Sequence, residues 1–250
     1  MKLELSQDLA HGRLTIAMVE NCHGDSVPLL NAIWFNRFQH KIAPDTATLA
    51  AAMVASRWSG ECMEFAKLRI SPDVAEAIHL MVPDAKFVQP VDGYRRHLCQ
   101  GHLDVVVASA AQVLQLERPV RPDVDFVRLV TWSGEYVDRT ARNSTGYVAG
   151  EVSTNANMLL PDWEISVCLG LLVGGLELRS VSVPLPPTES AQAFATVAQA
   201  LRILGIQLSP LGPTGGDRSA ATTQSRASLH ASPNSSRSFS PAVAVECAAE

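Results

Sequence analysis

Apolar and polar positions along the first 208 residues fall into runs that predict alternating strands and helices. Leu3-Glu4-Leu5 and Leu14-Thr15-Ile16-Ala17-Met18-Val19 read as two strands joined through the turn-like His11-Gly12-Arg13, the second nearly continuous in apolar residues and so expected to be central. Asp25 or Ser26 then stands as a cap before Leu29, Leu30, Ile33, Trp34 and Phe38 at helical spacing, which predicts a helix to about His40. Pro44-Asp45 restarts the helical pattern, with Leu49, Ala52, Met53 and Ser56 on one face, and Ser59-Gly60 closes it. Phe65 to Ile70 reads as a strand. Ser71-Pro72-Asp73 opens the next helix with a capping hydroxyl, a proline at the first helical position and a carboxylate in the first turn. Ala77, Ile78, Met81 and Val82 form its buried side, and Pro83-Asp84 ends it.

The stretch from Lys86 to Ser109 reads as strand, helix, strand: an apolar run to Asp92-Gly93, a short basic segment with His97, Cys99 and His102, then Leu103-Asp104-Val105-Val106-Val107-Ala108-Ser109. Parallel neighbours need a crossover of about a dozen residues, so this unit predicts a parallel sheet covered by helices. Val124 to Trp132 adds a strand. Ser133 to Asn157 reads as a long loop with a short structured piece around Tyr147 to Val152. Ile165 to Val173 and Leu176 to Val183 flank Gly174-Gly175, which predicts a hairpin because both glycines tolerate positive φ. Pro187-Thr188 caps a last helix with Phe194, Val197, Ala198, Leu201 and Leu204 on one face and Gly205 at its end. The fold expected is an α/β domain over residues 1–208: a mostly parallel sheet flanked by helices, with an antiparallel hairpin near its C-terminal end. Residues 209–250, rich in Ser and Pro and without a periodic apolar face, are expected to be a disordered tail.

Composition narrows the function classes. A net charge of -5 gives no general attraction for nucleic acid or anionic membranes. The longest apolar run, around Val167 to Val173, falls far short of the roughly 20 residues that cross a bilayer. The first residues lack the basic and apolar regions of a secretory signal, which points to the cytoplasm. Five cysteines without close pairing predict reduced, mostly buried thiols.

Ligands in open α/β sheets bind outside the carboxyl ends of the strands, so the loops there are the candidate site. Ser71 and Ser109 stand where helix N-termini would turn backbone N–H groups toward an anion, although each is also accounted for as a plain cap. Asp92 and Arg95, in Asp92-Gly93-Tyr94-Arg95, offer a carboxylate and a guanidinium, and Ser133 follows the next strand. Glu20-Asn21-Cys22-His23 is the densest reactive cluster: with a neighbouring imidazole, Cys22 could supply a thiolate, and Glu20 or His23 a base. The plainer reading is a structural cysteine and a loop histidine. His97, Cys99 and His102 match no zinc spacing, and the glycines form no phosphate-binding loop, so no metal or cofactor is expected.

Lys67-Leu68-Arg69-Ile70 through Ser109, with the capped helix, Pro83, and Leu98, Gly101, Leu103 and Asp104 leading into a Val-rich strand, resembles the first lobe of periplasmic-binding-protein-like domains. The resemblance implies a cleft for a small, often anionic molecule. The expected function is therefore binding of an anionic metabolite through Ser71, Asp92, Arg95, Ser109 and Ser133. The alternatives are a hydrolase or transferase using Cys22, His23 and Glu20, and a non-catalytic structural or interaction subunit with the hairpin edge as partner surface and the tail as tether; a homo-oligomer is compatible with each.

Overall fold

A computed structural model describes residues 1–20, 23–26, 28–36, 42–66, 68, 70–89, 91–93, 101–109, 124–131 and 150–211, with backbone alone at 87, 89, 109, 124–131, 150 and 151. The strands are β1 (Lys2–Asp8), β2 (Arg13–Val19), β3 (Ala32–Asn36), β4 (Cys62–Ala66), β5 (Phe87–Gln89), β6 (Leu103–Ser109), β7 (Val124–Thr131), β8 (Gly150–Thr154), β9 (Leu178–Pro184) and β10 (Gln207–Leu211). The helices are α1 (Pro44–Ala55), α2 (Pro72–Met81), α3 (Asp162–Gly174) and α4 (Ala191–Ile203). The strands hydrogen-bond in the order β10-β9-β6-β7-β8-β3-β2-β1-β4-β5. Pairing is parallel except at β1–β2, β2–β3 and β3–β8, so the α/β class and the mostly parallel sheet are as expected.

The sheet has two halves of opposite direction. β1, β3, β4 and β5 run one way, and β8, β7, β6, β9 and β10 run the other. They meet only where Phe35 pairs with Thr154 and Asn36 with Ser153. Each of these residues closes its strand, so the carboxyl ends of β3 and β8 overlap. The expected Lys86–Ser109 unit is thus corrected: β5 is the edge of one half and β6 lies inside the other, with six strands between them.

Two further expectations fail. In place of the predicted helix from Asp25 to about His40, the described residues before Ala32 form a loop leading into β3, where burial alternates along Ala32–Asn36 with Ile33 and Phe35 inward; residues 37–40 lie outside the described residues. Asp25 does not act as a cap. Its carboxylate accepts from Gly60 N at 2.8 Å and pairs with the Met1 α-ammonium at 2.5 Å. The loops touch closely at this point: a Cβ on Gly60 would lie 2.5 Å from the Gly24 carbonyl carbon. The predicted C-terminal hairpin is also absent. Residues 162–174 form α3, and β9 is parallel to both β6 and β10. Gly175, at φ 52°, ends the helix rather than turning a hairpin.

Physical causes for α1 and α3 are visible in their burial. In α1 everything from Asp45 to Ala55 is buried, and in α3 everything from Trp163 to Gly174, so both are enclosed on all sides and carry apolar residues all round. Small residues make the packing possible: a Cβ on Gly170 would come within 2.4 Å of Val181 Cγ1 on β9. α1 and α3 lie antiparallel, with Arg57, just past α1, bonded to Glu164 in the first turn of α3, and Ala43, before α1, close to Gly175 after α3. α2 starts as expected, with Ser71 Oγ accepting from Val74 N at 3.3 Å, and Gly205 ends α4 at φ 75°. The chain continues as β10 to Leu211, past the expected limit near 208. Residues 212–250, which hold nearly all of the expected tail, lie outside the described residues. No described helix is long and apolar enough to cross a membrane.

Candidate functional site

The place where opposed strand ends meet is built from Arg13, Trp34, Asn36 and Asn155. β3 turns Ile33 and Phe35 into the core, which leaves Trp34 and Asn36 on the other, half-exposed face. Arg13 pairs directly with Asn36 across the β2–β3 ladder and so shares that face. Its Nε donates to Asn36 Oδ1 at 3.0 Å, and the guanidinium carbon lies 5.4 Å from the centre of the Trp34 ring, a cation–π arrangement. Among the described residues the terminal nitrogens of Arg13 have no partner, and they form a fixed fork suited to a carboxylate or phosphate. Asp8, opposite Arg13 in the β1–β2 ladder, bonds His11 instead, at 2.7 Å, and that bond holds its carboxyl below the ordinary range.

Asn155 finishes the join. After Thr154 the chain leaves the sheet for a 3₁₀ turn at Ala156–Met158. The Asn155 side chain then stands in for the missing strand: Oδ1 accepts from Trp34 N at 2.8 Å and Nδ2 donates to Ala32 O at 3.4 Å. It is only 8% exposed. The backbone under Trp34 is thereby satisfied from the second half of the sheet.

Strand registers locate the other predicted contacts. Ile70 bridges Val91, and Asp92 N donates to Ile70 O at 2.7 Å, so Ser71 and Asp92 emerge side by side beyond β4 and β5. Ser71 is 1% exposed and serves as the α2 cap, while Asp92 is half-buried. The Ser109 backbone ends β6 on the other half, paired with Leu129. From β4 to β6 is six strand spacings of about 4.8 Å, roughly 29 Å along a flat sheet. Ser71 and Asp92 are thus brought together, Ser109 lies apart from them, and Arg13 with Asn36 sits near the midpoint. Arg95 and Ser133 lie outside the described residues.

The Glu20–His23 loop is elsewhere. Val19 pairs with Lys2 at the start of β1, which is level with Glu64 in β4, so the loop leaves at the amino ends of these strands. Glu20 and His23 are both exposed there. They do not join Ser71 and Asp92. Cys22 lies outside the described residues. Cys62, at that same end, is disulfide-bonded, contrary to the expectation of reduced thiols. Cys168 is free and buried. Burial, aided by the nearby Glu164 charge, pushes the Cys168 thiol far above its ordinary range. His97 and Cys99 are outside the described residues, and His102 is exposed, 3.9 Å from Glu177. Asp104 is held by Arg179 Nε at 2.8 Å and Ser180 Oγ at 2.6 Å, which ties β6 to β9.

Arg13, Trp34, Asn36 and Asn155 were not among the residues expected from sequence. The available signal was the alternation through Ala32–Asn36, which the helical spacing of Ile33 and Trp34 with Leu29 and Leu30 masks. Comparison with protein families, with curated proteins and with solved structures finds no match.

Proposed function

We propose that the protein binds a small anionic molecule where its two half-sheets meet, on the face carrying Arg13, Trp34 and Asn36. The observation that carries this reading is the β3–β8 register, in which the carboxyl ends of two oppositely directed sets of strands arrive at one level. Such ends are where α/β sheets bind ligands. The Trp34 ring and the Asn36 amide preorganise the guanidinium, so an incoming carboxylate or phosphate meets donors already in place. Asp92 on one flank and Ser109 on the other lie about 29 Å apart and cannot both touch one small molecule, and Ser71 is buried as a helix cap, so the binding is assigned to the Arg13 face itself.

The separation of Glu20 and His23 from the strand ends favours binding over catalysis by that loop. An interaction role based on the Gly174-Gly175 hairpin has lost its surface, since those residues end a helix. As to location, the disulfide at Cys62 favours an oxidising compartment over the cytoplasm, because structural disulfides persist there.

A thermal-shift panel of carboxylates, sugar acids and phosphates tests the reading, followed by calorimetric titration of the hits. A specific ligand at a hundredfold excess over its Kd adds about 2.7 kcal/mol of stability. Removing a charge-assisted hydrogen bond costs about 1.5–3 kcal/mol, so Arg13→Ala weakens the hit by roughly ten- to a hundredfold. A panel without a single hit, or a hit indifferent to both Arg13→Ala and Trp34→Ala, rejects it.

A further inference from the structure

On the helical side of the molecule, away from the Arg13 face, lies a cavity of about 400 Å³. All four helices reach it. Its walls are mostly apolar, with Met53 near the end of α1, Leu80 and Met81 at the end of α2, Trp163 at the start of α3 and Val197 on α4. The volume lies within the range of about 300–1,000 Å³ typical of small-molecule pockets.

Its polar groups are few and unevenly used. Arg57 Nη2 donates to Glu164 Oε1 at 2.6 Å, the guanidinium half-exposed and the carboxylate only 11% exposed. Among the described residues Glu164 Oε2 has no hydrogen-bond partner. The Ser56 and Thr196 hydroxyls donate to carbonyls of their own helical turns, Met53 O at 2.9 Å and Gln192 O at 3.1 Å. The Trp163 indole, 2% exposed, has no acceptor for its N–H, although its ring packs edge-on to Phe194 with centroids 5.5 Å apart. Buried indole N–H groups ordinarily find a partner. An acceptor oxygen of Glu164 and the remaining donors of Arg57 thus stand unused side by side in the lining of one apolar cavity.

We infer that this cavity is a second binding site, for a small neutral molecule with an apolar ring and a head that both donates and accepts a hydrogen bond, as a carboxamide does. The amide N–H groups complement Glu164 Oε2, and the carbonyl complements the remaining N–H donors of Arg57. Neutrality follows from the pair itself. Arg57 and Glu164 already cancel, so a carboxylate head would add an uncompensated negative charge beside the more buried member. This site is independent of the anion site at Arg13, with which it shares no residue.

The probe is 2-naphthamide, titrated into full-length protein labelled with ¹³C-methyl methionine, with naphthalene-2-carboxylate as the charged comparison. Six methionines give the signals, of which Met53 and Met81 line the cavity. The expected result is saturable shifts at Met53 and Met81, with the carboxylate at least tenfold weaker. Ala193→Trp, an exposed rim position where a large side chain leaves the core untouched, blocks the shifts without changing the melting temperature. Arg13→Ala leaves them in place. The inference is overturned if the amide moves neither methyl, if the carboxylate binds as well as the amide, or if Ala193→Trp folds normally and still binds.

Discussion

Asn155→Ala tests the junction most directly, because one side chain supplies what the strand pairing lacks. In the native protein Trp34 N–H is bonded at 2.8 Å and Ala32 C=O at 3.4 Å, both to the Asn155 amide. Truncation leaves the part-buried Trp34 N–H without an acceptor, a cost of about 1–3 kcal/mol, and loses the longer bond as well, for about 0.5 kcal/mol more. A total of about 2 kcal/mol is therefore expected. For a compact unit of the size of Met1–Thr214, 1 kcal/mol moves the melting temperature by about 2–4 °C, so the variant should melt about 4–8 °C lower. Urea denaturation gives the free energy, and amide hydrogen exchange at Trp34 shows whether the loss is local. A variant within about 0.5 kcal/mol of wild type, with Trp34 exchange unchanged, would refute the idea that Asn155 substitutes for the missing strand.

Two further outcomes follow from the titratable groups. Burial raises the Glu164 carboxyl above its ordinary value, with Arg57 opposing but not cancelling the effect. On rising pH the unfolded chain ionises at this residue first, so stability is lost through the window from the ordinary value up to the raised one. Gln cannot ionise, so the stability of Glu164→Gln relative to wild type should improve as pH rises above the ordinary carboxylate range in denaturant titrations; a relative decline would mean that the Arg57 pair outweighs burial. At Cys62, iodoacetamide should label only after reduction, and at Cys168 only after unfolding. Non-reducing peptide mapping identifies the partner of Cys62, and labelling without reductant would restore free-thiol chemistry as an option at that end of the sheet.

Elements with both a period and punctuation were legible in the sequence. Ser71-Pro72-Asp73 and Pro44-Asp45 announce α2 and α1, and Gly205 closes α4, because caps and breakers act locally. β3 and α3 were not legible, for opposite reasons. At β3 five residues alternate, but Ile33 and Trp34 also sit at helical spacing from Leu29 and Leu30, so the choice rests on pairing with β2, a long-range fact. At α3 apolar residues lie on every side, so no face marks the helix, and Gly174-Gly175 offers a false turn. The first-turn acids Asp162 and Glu164 after Pro161 were the better signal. The same division holds for the site. Ser71 and Asp92 follow parallel strands and could be named, whereas Arg13 matters only once β3 lies beside β2 and brings Trp34 beneath it.

What holds the two halves together is then a question of where contact is made. The sheet join offers two residue pairs, too little for a lasting connection. α1, between β3 and β4, belongs to the first half, and α3, between β8 and β9, to the second. They pack along their whole lengths, from the Arg57–Glu164 bond at one end to Ala43 and Gly175 at the other, with Cys168 Sγ donating to Ala50 O at 3.6 Å between. The apolar surface buried there supplies most of the attraction between the halves. Loss of Asn155 should therefore loosen the Trp34 backbone while leaving the halves docked, so local opening at Trp34 becomes easier by more than global unfolding does. Equal changes in the two would mean that the sheet join, and not the helix pair, is the principal connection.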